Sequence, residues 1–432
     1  MRIVQICPSA GDGFYCENCL RDAALVKALR RLGHDVLMVP LYLPLAADET
    51  GPLDTTPLFF GGINVYLQQK LALFRKTPRW IDRWLDARPL LAWAGRKAGM
   101  TSARDLGETT VSMLQGENGR QVKELDRLVG WLQAEPQKPD IVCLSNILLA
   151  GMARRIKERL GVPVVCLLQD EDGFLDGLTS PYAGQAWGIV RERARDIDAF
   201  LAVSRYFADA MTPRLGPHAA RMHVSYLGIE LDGYARDDLG PTVPTIGFLS
   251  RMCPDRGLET LVDAFILLKQ KDKLWPVKLR ICGGKLACDE SFVDRLRGKL
   301  AAGGLSADVD FLSAFDHASK MEFLRSLSVL SVPEERPVAY GLYVLEALAM
   351  GVPVVEPAIG CFPETLALTG GGVLYEPNTP ERLAETLASL LLDPQAARRL
   401  GAQGRAGVAK SFEIGRTAAQ MVGIYEHVVQ RM

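Results

Sequence analysis

The chain has no excess of charge of either sign, few histidines and no long apolar run. Among 432 residues, Lys+Arg total 50 and Asp+Glu 51, a net charge of −1. That balance removes the electrostatic case for general nucleic-acid binding, and no nucleic-acid partner is expected. No apolar stretch reaches the ~20 residues of a transmembrane helix. The opening MRIVQICPSAGDG turns to glycine too soon for a signal peptide. Low-complexity segments and short-period repeats are missing, which argues against disorder and solenoids. The nine cysteines are odd in number, and Cys7, Cys143, Cys166 and Cys282 lie in apolar, strand-like runs. Free thiols in such runs behave as small core residues, so a reducing compartment and no disulfide framework are expected. These absences point to a cytoplasmic protein and leave peripheral contact with the inner face of a membrane open.

What is present is a globular composition, 48% hydrophobic and 23% charged, in a chain long enough for two domains. Arg2–Cys7 reads as a strand and Gly11 to Gly13 as a turn. A helix follows with Leu25, Leu29 and Leu32 on one face, then a strand over Val36–Leu41. This βαβ unit implies parallel strands with a right-handed crossover. The pattern breaks over residues 70–100, rich in Trp, Arg and Leu, and resumes with strands at Ile141–Ser145, Val164–Gln169, Ala199–Ser204 and 222–227. A second alternating series begins at Thr245. Its strands are Thr245–Ser250, Lys278–Cys282, Val309–Leu312, Val329–Val332, Val352–Glu356 and Val373–Tyr375. The expected fold class is α/β: two doubly wound, Rossmann-like domains facing across a cleft, with the ligand at the C-terminal strand ends. The boundaries read as 1–235 for the first domain, with the insertion at about 70–100, and 241–410 for the second. A closing helix over 411–432 is expected to pack back on the first.

Two segments of the second half carry chemistry. The strand Thr245–Ser250 runs into Arg251-Met-Cys-Pro-Asp-Arg256-Gly257, just before a helix. Guanidinium groups bind phosphate bidentately, and a helix N-terminus adds unpaired N–H groups and a positive dipole end. Two surface arginines on a loop is the equal alternative for this motif alone. The second segment, Tyr340-Gly341 through Val355, reads as glycine, helix, Gly351 cap, Pro353 and buried strand. Gly341 leaves room for a ligand at the helix start. Glu346, about a turn and a half further on, would face sideways where a ribose diol could be held.

Together these segments resemble the donor site of family 4 of the retaining glycosyltransferases, which have the GT-B fold. The likeness runs over nearly the whole chain through Gly33-His34-Asp35-Val36, Val203-Ser204-Arg205, Gly247–Arg251, Cys282-Gly283-Gly284 and Gly371-Gly372. It implies transfer of a sugar from a nucleotide-diphosphate sugar to a saccharide or lipid-linked acceptor, with retention of configuration. Polysaccharide, glycolipid or cell-envelope glycan synthesis is the implied setting. Arg251 and Arg256 would neutralise the diphosphate and Glu346 would bind the ribose. The N–H groups of Leu342 and Tyr343 would cap phosphate, and Gly11 and Gly13 would form the loop facing the donor. The base would lie near Gly283, Gly284 and Phe315. Neither metal nor cofactor is implied, since the arginines and helix ends stabilise the leaving group.

The sequence departs from the family at two places. Val338 stands where the family carries a second glutamate, eight positions before Glu346. Glu334 and Glu335 lie nearby; one reading has them substitute for it if the loop folds back, and solvated loop charges are the default reading. The alternative function is therefore a nucleotide-sugar-binding protein with little or no transfer. The histidines His34, His218, His223, His317 and His427 all miss the strand ends at Ser145 and Gln169. Asp170, Glu171 and Asp172 follow Gln169 instead; Asp170 and Glu171 are the candidates to bind or deprotonate an acceptor hydroxyl, with capping or solvated loop acids as the equal alternative. The Cys16-Glu-Asn-Cys19 pair reads as packing and turn residues rather than a redox or metal motif. In the insertion, Arg75, Lys76, Arg79, Arg83, Arg88, Arg96 and Lys97 mingle with Trp80, Trp84 and Trp93. A local subdomain that buries its tryptophans is one reading, and a lid or interfacial segment touching a membrane through residues 75–97 is the other.

Overall fold

A computed structural model describes residues 1–8, 17–41, 59–60, 68–69, 103–235, 240–271, 276–312 and 317–432. Gly11, Gly13, Cys16, Phe315 and the whole 70–100 insertion lie outside the described residues. The chain forms two compact units. One comprises Met1–Tyr226 with Thr417–Met432, the other Leu227–Arg416.

The first unit is built on six parallel strands: β1 (Arg2–Cys7), β2 (Asp35–Pro40), β3 (Ile141–Leu144), β4 (Val164–Leu168), β5 (Ala199–Ala202) and β6 (Met222–Val224). Their order across the sheet is β2-β1-β3-β4-β5-β6. Every residue of β3, β4 and β5 is buried. Unbroken apolar runs of this kind belong to parallel strands covered on both faces. The helices are α1 (Glu17–Arg31), α2 (Ala103–Leu114), α3 (Val122–Ala134), α4 (Ala153–Leu160), α5 (Glu171–Asp176), α6 (Tyr182–Arg193) and α7 (Arg205–Leu215). α4 is preceded by a 3₁₀ turn, Ile147–Met152, which Asn146 caps by accepting from the Leu148 N–H at 3.1 Å.

The second unit repeats the plan with β7 (Thr245–Leu249), β8 (Lys278–Cys282), β9 (Val309–Leu312), β10 (Val329–Leu330), β11 (Val354–Pro357) and β12 (Gly372–Tyr375). The order is β12-β11-β10-β7-β8-β9, parallel throughout. Strand order therefore reverses between β7 and β10, which pair through Ile246 and Gly247. In a doubly wound sheet a ligand sits at the carboxyl ends of the strands at such a switch point. The helices are α8 (Leu258–Lys271), α9 (Glu290–Ala302), α10 (His317–Arg325), α11 (Leu342–Ala349), α12 (Phe362–Thr369), α13 (Pro380–Leu392) and α14 (Pro394–Ser411). β10 is two residues shorter than the sequence suggests, since the N–H of Val332 turns away to the carboxylate of Glu356.

The last helix, α15 (Ile414–Gln430), returns the chain to the first unit. There it buries Ala418, Met421 and Tyr425. The Tyr425 hydroxyl donates to Cys143 Sγ at 3.3 Å, and Gln420 Nε2 donates to the Val224 carbonyl at 3.0 Å. Burial among apolar neighbours pushes the Cys143 thiol up to about 12, consistent with a packing residue. No described helix is long and apolar enough to cross a membrane.

Candidate active site

The switch point of the second unit gathers most of the residues singled out by the sequence. β7 delivers Arg251, and the loop after it delivers Arg256. β10, its neighbour, delivers the loop Ser331–Gly341 and then α11. Local backbone demands fix these loops together. Gly257 ends a short 3₁₀ turn with φ +68, and a Cβ there would lie 1.7 Å from the Pro333 carbonyl oxygen. The Glu335 N–H donates to the Asp255 carbonyl at 3.1 Å, and Thr260 Oγ1 donates to Glu335 Oε1 at 2.7 Å. On the other side, Met252 N–H donates to the Gly284 carbonyl at 2.9 Å. A Cβ on Gly283 would meet the Ser250 carbonyl at 1.7 Å, whereas one on Gly284 would meet open space. Gly283 is thus demanded by the backbone of the arginine loop itself.

Each arginine is held by a carboxylate that the sequence reading did not assign to it. Asp289 grips Arg251 along one edge, accepting from Nε at 2.9 Å and from Nη2 at 3.0 Å. Burial raises the Asp289 carboxyl, but the hydrogen bonds from Arg251 and from the Leu286 N–H, with the charge of Arg251, outweigh it and bring it below the ordinary range. The guanidinium edge taken by Asp289 is the side-on one, and the Arg251 side chain stays 40% exposed. Glu334 Oε1 accepts from Arg256 Nη1 at 2.7 Å and from the Tyr343 hydroxyl at 2.8 Å. Glu334 is 2% exposed, which corrects the expectation of a solvated loop charge. Below it lies Glu356, fully buried. Burial drives its carboxyl well above the usual range; the Val332 N–H opposes this and the nearby charge of Glu334 adds to it.

α11 starts at Leu342 after Gly341 as N-cap, and all eight of its residues are buried. The N–H groups of Leu342 and Tyr343 make no hydrogen bond among the described residues, as first-turn groups ordinarily do not. The Tyr343 side chain itself points into the unit and is fully buried, so only its main chain suits a phosphate. The space expected for a ligand at the Gly341 Cβ is taken by the chain's own rings: a methyl there would sit 3.1 Å from Phe362 and 3.3 Å from Tyr343. Gly351 closes the helix at φ +79, as the sequence predicts.

Glu346 is 3% exposed, and its two oxygens differ. Oε1 accepts from Lys320 Nζ at 2.5 Å and from the Tyr234 hydroxyl at 3.1 Å. Oε2 is buried with no hydrogen-bond partner. A buried carboxylate oxygen left unpaired costs stability and suits a ligand hydroxyl. Lys320 and Tyr234 were missed by sequence reasoning. They come from α10 and from the segment between β6 and β7, and nothing in their local sequence links them to Glu346. Val338 is 5% exposed, and its carbonyl accepts from the Cys361 N–H at 3.1 Å. It packs against the turn at Gly360, where a Cβ would lie 2.6 Å from the Val338 nitrogen.

In the first unit the two acids divide by role. Glu171 is buried, with Oε1 accepting from the Ile147 N–H at 2.9 Å and Oε2 from the Gln169 N–H at 2.6 Å. It braces the turn after β3 against the end of β4. Burial pushes its carboxyl up to about 7, against the pull of these backbone bonds. Asp170 is half-buried and sits in the left-handed region at φ +75. That conformation is uncommon for a non-glycine residue and is seen at functional strand ends. Among the described residues no cluster of three or more His, Cys, Asp or Glu is arranged to hold a metal ion.

With this geometry in place, comparison with known proteins is specific. Residues 236–407 match the family model for glycosyl transferases group 1, and residues 23–228 that for a glycosyl transferase 4-like domain. The phosphatidyl-myo-inositol mannosyltransferase of Mycobacterium tuberculosis is 31% identical over 202 residues, 46% of this chain and 50% of the relative. A D-inositol 3-phosphate glycosyltransferase of Corynebacterium glutamicum is 27% identical over 45% of this chain and 46% of its own. The chain thus spans about half the length of the curated relatives it matches first. A relative named D-inositol 3-phosphate glycosyltransferase in Actinosynnema mirum is 26% identical over 67% of the chain and 73% of its own. Among solved structures, Anabaena Alr3699/HepE in complex with UDP superposes with a TM-score of 0.69 at 17% identity, covering 98% and 99% of the two chains. Sucrose-phosphate synthase from Thermosynechococcus elongatus gives 0.71 at 18% identity over 100% of both. Residues 23–228 are therefore of the glycosyl transferase 4-like type and residues 236–407 of the group 1 type, which makes this a GT-B-fold protein of the family 4 kind.

Proposed function

We propose that the protein is a glycosyltransferase that moves a hexose from a nucleotide-diphosphate sugar to an acceptor hydroxyl with retention of configuration. The observation that carries this reading is the convergence at one switch point of Arg251, Arg256, the open first turn of α11 and the unpaired Oε2 of Glu346. In this reading the arginines and the N–H groups of Leu342 and Tyr343 hold the diphosphate, and Glu346 Oε2 accepts from a ribose hydroxyl. Charge building on the departing diphosphate meets fixed positive groups, which is electrostatic stabilisation needing neither metal nor cofactor. Asp170, strained at the end of β4, is the acceptor-side acid, while Glu171 braces the strand end that carries it. Relatives named for transfer to inositol phosphate and phosphatidyl-inositol support a saccharide or lipid-linked acceptor. The same relatives suit glycan or glycolipid synthesis at the inner face of a membrane, with residues 75–97 as the contact.

Incubation with a panel of sugar nucleotides should release nucleoside diphosphate, and NMR of the product should show the donor's anomeric configuration. Arg251→Ala should lower turnover by about 10²-fold, the scale of one lost transition-state donor. Undiminished release in both Arg251→Ala and Glu346→Ala would refute the site. Binding to anionic vesicles, lost when the basic residues of 75–97 are neutralised, tests the membrane contact.

A further inference from the structure

Arg256 is held by an acid from a neighbouring loop, and the arrangement around that acid has no counterpart in the reading above. Glu334 Oε1 is bound from two sides, by Arg256 Nη1 at 2.7 Å and by the Tyr343 hydroxyl at 2.8 Å. The Tyr343 ring is fully buried and lies against Phe362, with ring centroids 6.5 Å apart. The acid is therefore fixed to the first turn of α11. Its main chain is fixed too: the Glu334 carbonyl accepts from Asn378 Nδ2 at 3.0 Å, and the Tyr375 hydroxyl donates to Asn378 Oδ1 at 2.7 Å. The loop carrying Arg256 is fastened to the loop carrying Glu334 by the Glu335–Asp255 and Thr260–Glu335 hydrogen bonds and by the close approach of Gly257 to Pro333. The Arg256 side chain, in contrast, remains 28% exposed.

We propose that Glu334 is a positioning residue that aims Arg256 at the donor diphosphate and registers it against the first turn of α11 through Tyr343. The inference rests on the donor-site reading given above. An acid loosely paired on the surface would be displaced by a phosphate and would act as a competitor. This one cannot leave, because its pairing oxygen, its main chain and its loop are each held separately. A buried acid behind an arginine restrains the long side chain's rotamers before the ligand arrives, so that less entropy is lost on binding. It also couples the arginine to the helix end, the two groups that must meet the diphosphate together.

The test is calorimetry of the full chain with UDP, GDP and ADP, using Arg256→Ala, Glu334→Gln, the double variant and Tyr343→Phe. Positioning predicts that Glu334→Gln weakens binding of the preferred nucleotide about tenfold, the scale of one hydrogen bond to a charged group. It also predicts that the double variant is no weaker than Arg256→Ala alone. Glu334→Asp should recover part of the loss. Unchanged or tighter binding in Glu334→Gln overturns the proposal, as do fully additive losses in the double variant. Should Glu334→Gln fail to fold, Tyr343→Phe decides: a weakening of two- to fivefold supports coupling through Tyr343, and no change opposes it. Failure of the donor-site reading looks different, since then the wild-type protein binds none of the three nucleotides or Arg256→Ala binds as well as wild type.

Discussion

At the scale of single residues, a few buried acids do most of the organising, and their partners decide what each can do. Glu346 keeps one oxygen tied to Lys320 and Tyr234 and leaves the other unpaired in the interior. Lys320→Met should therefore leave the carboxylate with the tyrosine alone. The expected result is a fall in kcat/KM of about 10- to 100-fold, since removing the charged partner of a buried carboxylate costs about 1.5–3 kcal/mol. Tyr234→Phe, which removes a neutral donor, should cost less, and nucleoside diphosphate release ranks the two. Glu171 yields a prediction on pH. Its carboxyl stands at about 7 in the fold against 4.5 for the free side chain. A raised acid is neutral in the fold while the unfolded chain ionises. Its contribution is thus complete below pH 4.5 and is lost as pH rises towards 7. At about 1.4 kcal/mol per pH unit, the loss is about 3 kcal/mol. Denaturant titrations of wild type and Glu171→Gln at pH 5 and 7.5 should show a steeper decline in the wild type; equal declines would remove Glu171 as the cause. These residues also show how far a sequence can be read. Arg251, Arg256 and Glu346 stand out because each lies at a fixed offset from a strand exit or helix start. Lys320, Tyr234 and Asp289 do not, since their partners are 26, 112 and 38 positions away along the chain. Glu334 lay in plain view but looked like a loop charge, because burial of a loop depends on what packs over it.

At the scale of elements, the regular alternation of apolar runs with polar and helical stretches made most strands legible. α14 was not legible, because Gly401, Gly404 and Gly407 argue against a helix. Tertiary packing overrides that preference. A Cβ on Gly401 would lie 2.1 Å from the Gly351 carbonyl, one on Gly404 2.7 Å from Leu348, and one on Gly407 2.4 Å from the Thr369 backbone. The three glycines form a face that lets α14 lie directly on α11 and α12, and Asp393 supplies the cap by accepting from the Ala396 N–H at 2.9 Å. An isolated Gly→Ala change in a helix interior stabilises by about 0.5–1 kcal/mol. Here Gly404→Ala should do the opposite, lowering stability by about 1–3 kcal/mol through overpacking. Because Leu348 lies on the helix that carries Glu346, the variant should also weaken nucleotide binding. Thermal unfolding with and without nucleotide checks both effects. Gly257→Ala should cost more, since its neighbour is the Pro333 carbonyl at 1.7 Å and its φ is +68; neither backbone has room to yield.

At the scale of the whole molecule, the chain leaves its first unit at Tyr226, completes a second unit, and returns at Thr417 to finish the first. The two units therefore depend on the C-terminus unequally. Residues 417–432 give the first unit Ala418, Met421, Tyr425 and Val428, each less than a tenth exposed, and cover the face of the sheet that carries Cys143. The second unit draws its sheet and all of its site residues from 227–416. Burial of a large apolar side chain contributes about 1.5–3 kcal/mol, so losing Met421, Tyr425 and Val428 together should cost about 5–9 kcal/mol. That is comparable with the whole stability of an ordinary domain. A chain ending at Arg416 should accordingly keep hydrogen-exchange protection in β7, β8 and β11 and lose it in β1, β3 and β4. It should still bind nucleoside diphosphate if the Arg251, Arg256 and Glu346 site is the one that does so, while transfer to an acceptor disappears with the first unit. Protection kept in β7, β8 and β11 and lost in β1, β3 and β4, but with nucleotide binding lost as well, would mean that the first unit supplies part of the nucleotide's affinity and that the second does not hold it unaided.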